Sequence, residues 1–313
     1  PLIILFFIGL SGILYSYVLL AHSGGMLLII SRLFHVISNA FLFLIIPGTK
    51  MLHVISTTGA LCTKYELMSK GRIKNNILSI ISCYTENKEV DIDKVSHFGL
   101  KYLDDVKKDF LQEIDSCMEC GRCSQVCPAD KINKDLSPGT FIGYFKKNSR
   151  EYEKNKNLYL LDSPFIKQAI WDCYTCYACE KVCPSYVSIV DRIIDLRRHM
   201  VLDQGEATPE HSKTLADFSK YKNPIKLTNQ EKQDFIQKNN LPIYSDAEKP
   251  DYLLWLGCHA YMDPVFQHVI NKLRALLDAS NISYGIMDNE LCCGNIIRLL
   301  GDEYQFLEIM FQN

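Results

Sequence analysis

Eight cysteines fall into two copies of one pattern, Cys117-x2-Cys120-x2-Cys123-x3-Cys127-Pro128 and Cys173-x2-Cys176-x2-Cys179-x3-Cys183-Pro184. Three thiolates on one short loop can reach three corners of an iron–sulfur cubane. The fourth cysteine, placed before a proline that ends the loop, serves the other cluster. The spacing therefore assigns Cys117, Cys120, Cys123 and Cys183 to one [4Fe–4S] cluster and Cys173, Cys176, Cys179 and Cys127 to a second. Zinc sites would need four ligands each rather than this crossed set of eight. Clusters paired in this way relay single electrons and do not by themselves transform a substrate.

Three further cysteines stand together near the end of the sequence: Cys258, Cys292 and Cys293. Residues 252–257 form a buried strand by pattern, 264–277 a helix, 282–287 a second strand and 299–311 a second helix. That βαβα order implies a parallel sheet with a crossover helix. Ligands bind such sheets outside the carboxyl ends of the strands, which is where these three thiols fall. They are candidates for an additional iron–sulfur cluster; the competing reading is buried structural cysteine. Cys62 and Cys83 match no pattern and read as ordinary thiols.

The elements that must carry this chemistry differ sharply along the chain. Residues 2–20 are apolar apart from small and hydroxyl side chains, long enough to cross the hydrocarbon core of a bilayer. A turn at 21–25 follows, then a second apolar stretch over 26–55 that contains Arg32, His35, Pro47, Lys50 and His53. The loop at 21–25 lacks Lys and Arg, whereas Lys64, Lys70, Arg72 and Lys74 follow the second stretch, so the positive-inside rule places everything after residue 60 in the cytoplasm. On one continuous helix, His35 and His53 would share a face five turns and ~27 Å apart. That matches the spacing of two stacked b-haems, one in each leaflet. Intramembrane ionisable groups are costly and usually functional, although both histidines could instead sit among headgroups. Arg32 would meet a haem propionate or snorkel to the interface.

With 313 residues, a net charge of −2 and 48% apolar side chains, the chain has room for several modules and lacks the basic surplus of a nucleic-acid binder. Thirteen cysteines, eleven of them in three tight groups, indicate metal ligation in a reducing compartment. The expected organisation is a transmembrane cytochrome b-like segment of two helices at 1–62, a cytoplasmic linker at 63–94, an α-helical double [4Fe–4S] ferredoxin at 95–203, a linker at 204–250, and the start of an α/β domain at 251–313. Within the ferredoxin, Val95, Phe98, Tyr102, Val106, Phe110 and Ile114 recur at helical spacing and predict one helix running to Cys117. The chain opens on Pro1 inside an apolar run and closes one helix after the Cys292-Cys293 pair, which suggests part of a longer polypeptide.

Three resemblances sharpen the expectation. Arg32-Leu-Phe-His35 followed by Pro47-Gly-Thr-Lys-Met-Leu-His53 resembles the last haem-bearing helix of the nitrate reductase gamma-subunit family. The two cysteine runs with their long helical insert are similar to the ferredoxin module of succinate dehydrogenase iron–sulfur subunits and heterodisulfide reductases. Leu256-Gly-Cys258, Glu290-Leu-Cys292-Cys293-Gly294 and Leu300-Gly-Asp-Glu-Tyr-Gln-Phe306 resemble the first part of a "CCG" cysteine-rich domain, with Ile296-Ile297 replacing the usual small or basic residues. The whole order resembles the membrane-bound electron-transferring-flavoprotein:quinone oxidoreductases and the heterodisulfide reductase D/E pair. The resemblance implies an oxidoreductase that passes electrons between a cytoplasmic donor, an electron-transferring flavoprotein, and a quinone in the lipid bilayer through two [4Fe–4S] clusters and b-haem. The alternatives are a disulfide/thiol redox enzyme of the heterodisulfide reductase type and a non-catalytic relay subunit beside a flavin-dependent lactate or glycolate oxidase. A flavin domain within the chain is not expected, because no G-x-G-x-x-G follows a strand.

Overall fold

The computed structural model describes residues 2–21, 25–45, 52–69, 98–106, 108–245 and 249–313. It is mostly helical. Helices α1 (Leu2–Leu20), α2 (Met26–Ile45) and α3 (Leu52–Ser69) come first. The cysteine-bearing region follows as α4 (Lys108–Ser116), α5 (Arg122–Val126), α6 (Pro128–Lys131), α7 (Pro138–Ser149), α8 (Tyr152–Asn155), α9 (Pro164–Asp172), α10 (Ala178–Lys181) and α11 (Val190–Arg198), the last continued by a π-helical turn, His199–Asp203. Then come α12 (Pro209–Tyr221), α13 (Asn229–Lys238), β1 (Tyr252–Leu254), α14 (Cys258–Met262), α15 (Pro264–Ala279), β2 (Tyr284–Ile286), α16 (Asn295–Leu300) and α17 (Glu303–Gln312).

The chain divides into two compact units. One gathers the described residues of 1–72, 102–158 and 176–189, the other those of 73–101, 159–175 and 190–313. The expected ferredoxin segment, 95–203, is therefore shared between them.

In the first unit, α1 and α2 are each long and apolar enough to cross a bilayer, with mean hydropathy of 2.3 and 1.9 over the spanning stretch. Their large apolar side chains, Phe6, Tyr17, Phe43 and Leu44 among them, point outward. Two of the residues buried on these helices, Ser11 and Ser31, are small, as suits close approach of apolar helices; the third is Val18. Helix α3 lies along α4, where Thr57 Oγ1 donates to the carbonyl of Ser116 at 3.3 Å. A Cβ on Gly59 would run into the Gln112 side chain. The core is aromatic: Phe110, Phe141 and Phe145 are fully buried, and the Phe110 and Phe145 rings meet edge to face at 5.6 Å.

In the second unit, β1 and β2 pair in parallel, Leu253 opposite Gly285. Ile243 extends this pairing with a parallel bridge to Ile286. Around the sheet pack Leu227, Phe235, Ile236, Leu241 and Tyr261.

Three expectations change. The segment 204–250 is no bare linker: it contributes α12, α13 and the Ile243 bridge, and Phe218, Phe235 and Ile236 are core residues. Pro209 starts a helix rather than loosening the chain, with Thr208 capping α12 ahead of it, and Thr228 with Glu231 forms a capping box on α13. The helix expected from Val95 to Cys117 is also shorter. Val95 lies outside the described residues, and Gly99 at φ +68 and an extended Tyr102 precede α4. A Cβ on Gly99 would sit 2.0 Å from the Asp195 carbonyl, so the backbone passes too close there for a helix to continue. Finally, His35 is on α2 and His53 on α3, two separate helices. The Pro47-Gly48 pair falls outside the described residues, and a proline disfavours helix in the residue before it.

Candidate iron–sulfur sites

The two cysteine loops share a backbone course. Helix α4 delivers Cys117, whose N–H still bonds to the Ile114 carbonyl, just as α9 delivers Cys173 at its C-cap. Two residues on, Glu119 (φ 55) and Thr175 (φ 52) are left-handed; four residues on, Gly121 (φ 75) and Tyr177 (φ 58) are as well. A left-handed conformation at a tyrosine costs of order 1–2 kcal/mol, so its presence in the second copy means the loop geometry is imposed. Alternating hand turns successive N–H groups to one side, the nest that binds anions and many iron–sulfur clusters. The Thr175 N–H points at Cys173 Sγ at 3.4 Å, and the Glu119 N–H stands in the same relation to Cys117. Cys123 and Cys179 follow on α5 and α10, which pack on each other. Cys120 and Cys176 are exposed, Cys127 and Cys179 buried.

The Cys183 thiol, from the second run, lies close enough to Cys117 and Cys123 to raise the pKa of both. Burial is the larger cause of the rise in each, so in the metal-free chain these thiols hold their protons, and binding iron would displace them. Cys183 in turn accepts from the Val187 N–H at 3.4 Å. Its segment is tied down by Ser185 Oγ donating to the Ser116 carbonyl at 2.8 Å and by the Ser188 N–H donating to buried Glu113 at 2.8 Å. Among the described residues no three His, Cys, Asp or Glu side chains close on a single metal ion. A cubane asks for something different, one thiolate at each of its separated corners. The nests and the placement of Cys183 fit that demand.

Each loop is also held by a buried cation that the sequence pattern does not single out. Lys146 on α7 donates to the Cys117 carbonyl at 2.9 Å and pairs with Glu119 at 3.0 Å. Arg197 on α11 donates to the Cys173 carbonyl at 2.7 Å.

In the cysteine-rich region, β1 leads through Gly257, in a backbone conformation (φ 77, ψ 154) open to glycine, to Cys258 at the start of α14. Cys292 is buried and Cys293 exposed. Cys258 Sγ and Cys292 Sγ are 4.0 Å apart. The Cys292 thiol donating to Cys258 brings Cys258 down to about 7, against the opposing effect of burial, while Cys292 is raised by the same contact and by burial. Buried Glu290 holds the turn before Cys258, accepting from the N–H groups of Leu256 (2.8 Å) and Gly257 (2.6 Å). Burial raises the Glu290 pKa, opposed by those N–H groups and by Lys232. Lys232 on α13 donates to the Glu290 carbonyl at 2.9 Å; burial lowers its pKa, and Glu290, Cys258 and Cys292 oppose that. Lys232 belongs to the segment expected to be a linker; its signal in the sequence is the capping box that starts α13.

On α2, His35 is held on both ring nitrogens: Nδ1 is 2.9 Å from Ser11 Oγ and Nε2 is 3.2 Å from Asn39 Nδ2. Ser11 donates to the Ile8 carbonyl, so the network is consistent with Nδ1–H donating to Ser11 and Nε2 accepting from Asn39. Helix α1 contains no histidine, and His53 lies on α3. Arg32 is exposed. Among the described residues His35 and His53 stand on different helices, α2 and α3.

Residues 116–188 match the 4Fe-4S dicluster domain family, and residues 252–313 match the cysteine-rich domain family. The chain is 25% identical to the EtfAB:quinone oxidoreductase of Syntrophomonas wolfei over 88% of its own length and 41% of the relative's. It is 26% identical to the probable iron-sulfur-binding oxidoreductase FadF of Bacillus subtilis, covering 69% of this chain and 37% of that protein. Over 31% of the chain it is 34% identical to one of the ferredoxin:CoB-CoM heterodisulfide reductase subunits of Methanosarcina mazei, of which it covers 51%. It thus spans about two fifths of the length of the first two.

Proposed function

Since this chain is related to the EtfAB:quinone oxidoreductases and the heterodisulfide reductases, we propose that it is the electron-relay portion of a membrane-bound iron–sulfur oxidoreductase. It would connect an electron-transferring flavoprotein on the cytoplasmic side with the quinone pool. The observation that carries this reading is the repeated loop geometry, with Cys183 of the second run lying beside Cys117 and Cys123 of the first.

Cys117, Cys120, Cys123 and Cys183 would hold one [4Fe–4S] cluster, and Cys173, Cys176, Cys179 and Cys127 the other. When bound, such clusters supply one-electron transfer without moving a substrate atom. The chain's own part is to present the ligand thiols, to aim N–H groups at the first sulfur of each loop, and to bury a cation behind it. Cys258, Cys292 and Cys293 would form a third redox site, held in shape by Glu290 and Lys232. Helices α1 and α2, outwardly apolar, would anchor the assembly in lipid.

Anaerobic reduction of the membrane-embedded full-length protein by electron-transferring flavoprotein, followed by electron paramagnetic resonance, tests this. Rapid appearance of reduced-cluster signals that collapse on adding a quinone supports the relay. Clusters reduced by dithionite but not by the flavoprotein would sink the donor assignment.

A second reading rests on the close approach of Cys258 and Cys292. A thiol lowered to about 7 beside a second thiol suits disulfide chemistry, in which two electrons and two protons convert one disulfide into two thiols. Reoxidation of the reduced protein by a disulfide, and not by quinone, would favour it.

A further inference from the structure

The repeat of the two cluster loops extends to their buried cations, but the balance of charge does not. Lys146 reaches the Cys117 carbonyl and is neutralised by Glu119 at 3.0 Å. Arg197 reaches the Cys173 carbonyl and donates to two more carbonyls, Ile170 (2.8 Å) and Leu299 (2.8 Å). Its guanidinium lies 5.4 Å from the centre of the Trp171 ring. No carboxylate stands within ion-pair distance of Arg197 among the described residues, and the side chain is buried. A guanidinium is not deprotonated in proteins, so Arg197 stays charged at neutral pH. A buried, uncompensated cation therefore sits directly behind one loop and a neutralised pair behind the other. The Leu299 contact ties the same guanidinium to the end of α16, the helix that follows Cys292-Cys293-Gly294.

We propose that Arg197 makes the cluster bound through Cys173 the more easily reduced of the two, and so gives the relay a direction between its own clusters. This rests on the proposed assignment of two [4Fe–4S] clusters. Reduction adds one electron, and hence one negative charge, to a bound cluster with no bond made or broken. An adjacent buried cation favours that charge in proportion to its proximity and to the lack of solvent screening. The Lys146–Glu119 pair offers the Cys117 loop little net field. Arg197 is a positioning and tuning residue, touching the ligand loop through its carbonyl.

The test is a potentiometric titration of the anaerobically reconstituted full chain, monitored by electron paramagnetic resonance. Arg197→Gln is expected to lower the potential of one cluster alone, shifting its oxidised-to-reduced ratio at fixed poise about tenfold, or ~59 mV for one electron. Arg197→Lys, which keeps the charge but not the fork of hydrogen bonds, is expected to stay close to wild type. Glu119→Gln, which removes the carboxylate ion-paired with Lys146 and leaves Asp115 nearby, is expected to raise the potential of the other cluster. Equal effects of the Gln and Lys replacements at Arg197, or a parallel shift of both clusters, would overturn the proposal. Should Arg197→Gln fail to assemble, Glu119→Gln decides: no shift overturns it. Two clusters present but unresponsive contradict only this inference, whereas a wild-type chain that binds no [4Fe–4S] cluster removes the underlying reading along with it.

Discussion

Cys258 Sγ and Cys292 Sγ stand 4.0 Å apart, bringing together a cysteine that follows β1 and one that follows β2. The contact splits the pair's acidity: Cys258 falls to about 7 because Cys292 donates to it, and Cys292 rises. Only the thiolate is nucleophilic. In the metal-free chain, alkylation of Cys258 should therefore climb through a midpoint near pH 7 and level off above it, while Cys292 remains unmodified. Peptide mass spectrometry after timed alkylation across pH 5–10 measures this. A Cys292→Ser variant, whose hydroxyl is a different donor, should move the Cys258 midpoint. Equal labelling of both cysteines would refute the assignment.

Gly301 predicts a stability effect. It sits at φ +100, and a Cβ there would lie 2.6 Å from the Arg197 carbonyl carbon and 2.7 Å from the Arg198 nitrogen. Both neighbours are backbone, flanked by the buried Arg198–Glu303 ion pair at 2.8 Å, so neither can move cheaply. Gly301→Ala should destabilise the protein by about 1–3 kcal/mol through overpacking, with a similar added cost from the left-handed backbone. Urea unfolding followed by circular dichroism reads the loss. A change under about 0.5 kcal/mol, the range of ordinary surface substitutions, would mean that Gly301 does not lie this close to the Arg197–Arg198 backbone.

Ser11 and His35 join α1 to α2. Interhelical hydrogen bonds in membranes average about 0.6 kcal/mol and reach about 1.7, so Ser11→Ala should weaken the α1–α2 pairing by that order. His35→Ala, which also releases Asn39, should weaken it more. Unfolding in mixed detergent micelles provides the measurement, and an unchanged midpoint for both variants would show that the contact contributes nothing.

The eight cysteines are legible in the sequence because their constraint is local: a cubane forces its ligands onto short loops, and the spacing survives. The cations behind the loops are not. Lys146 and Arg197 arrive from distant helices and bond to backbone carbonyls, which leave no sequence signature. The stretch 95–117 reads as one helix because its apolar period runs unbroken through Gly99, while the backbone there is bent by the close approach of the Asp195 carbonyl. The segment 204–250 reads as a linker because prolines in a polar stretch resemble linker punctuation. Yet Pro209 behind Thr208 and Glu231 behind Thr228 are helix starts. The spacing of His35 and His53 suits one continuous helix, whereas the two residues stand on α2 and α3.

The central claim is that two [4Fe–4S] clusters are held by crossed ligand sets. Cys183→Ser tests it most directly, with iron content and electron paramagnetic resonance measured on the reconstituted full chain beside wild type. The account predicts about four irons fewer in the variant than in wild type, the surviving cluster of the crossed pair being abolished by a further Cys173→Ser change and not by Cys117→Ser. Survival that depends on Cys117 instead, or a wild type without [4Fe–4S] signals, would contradict it.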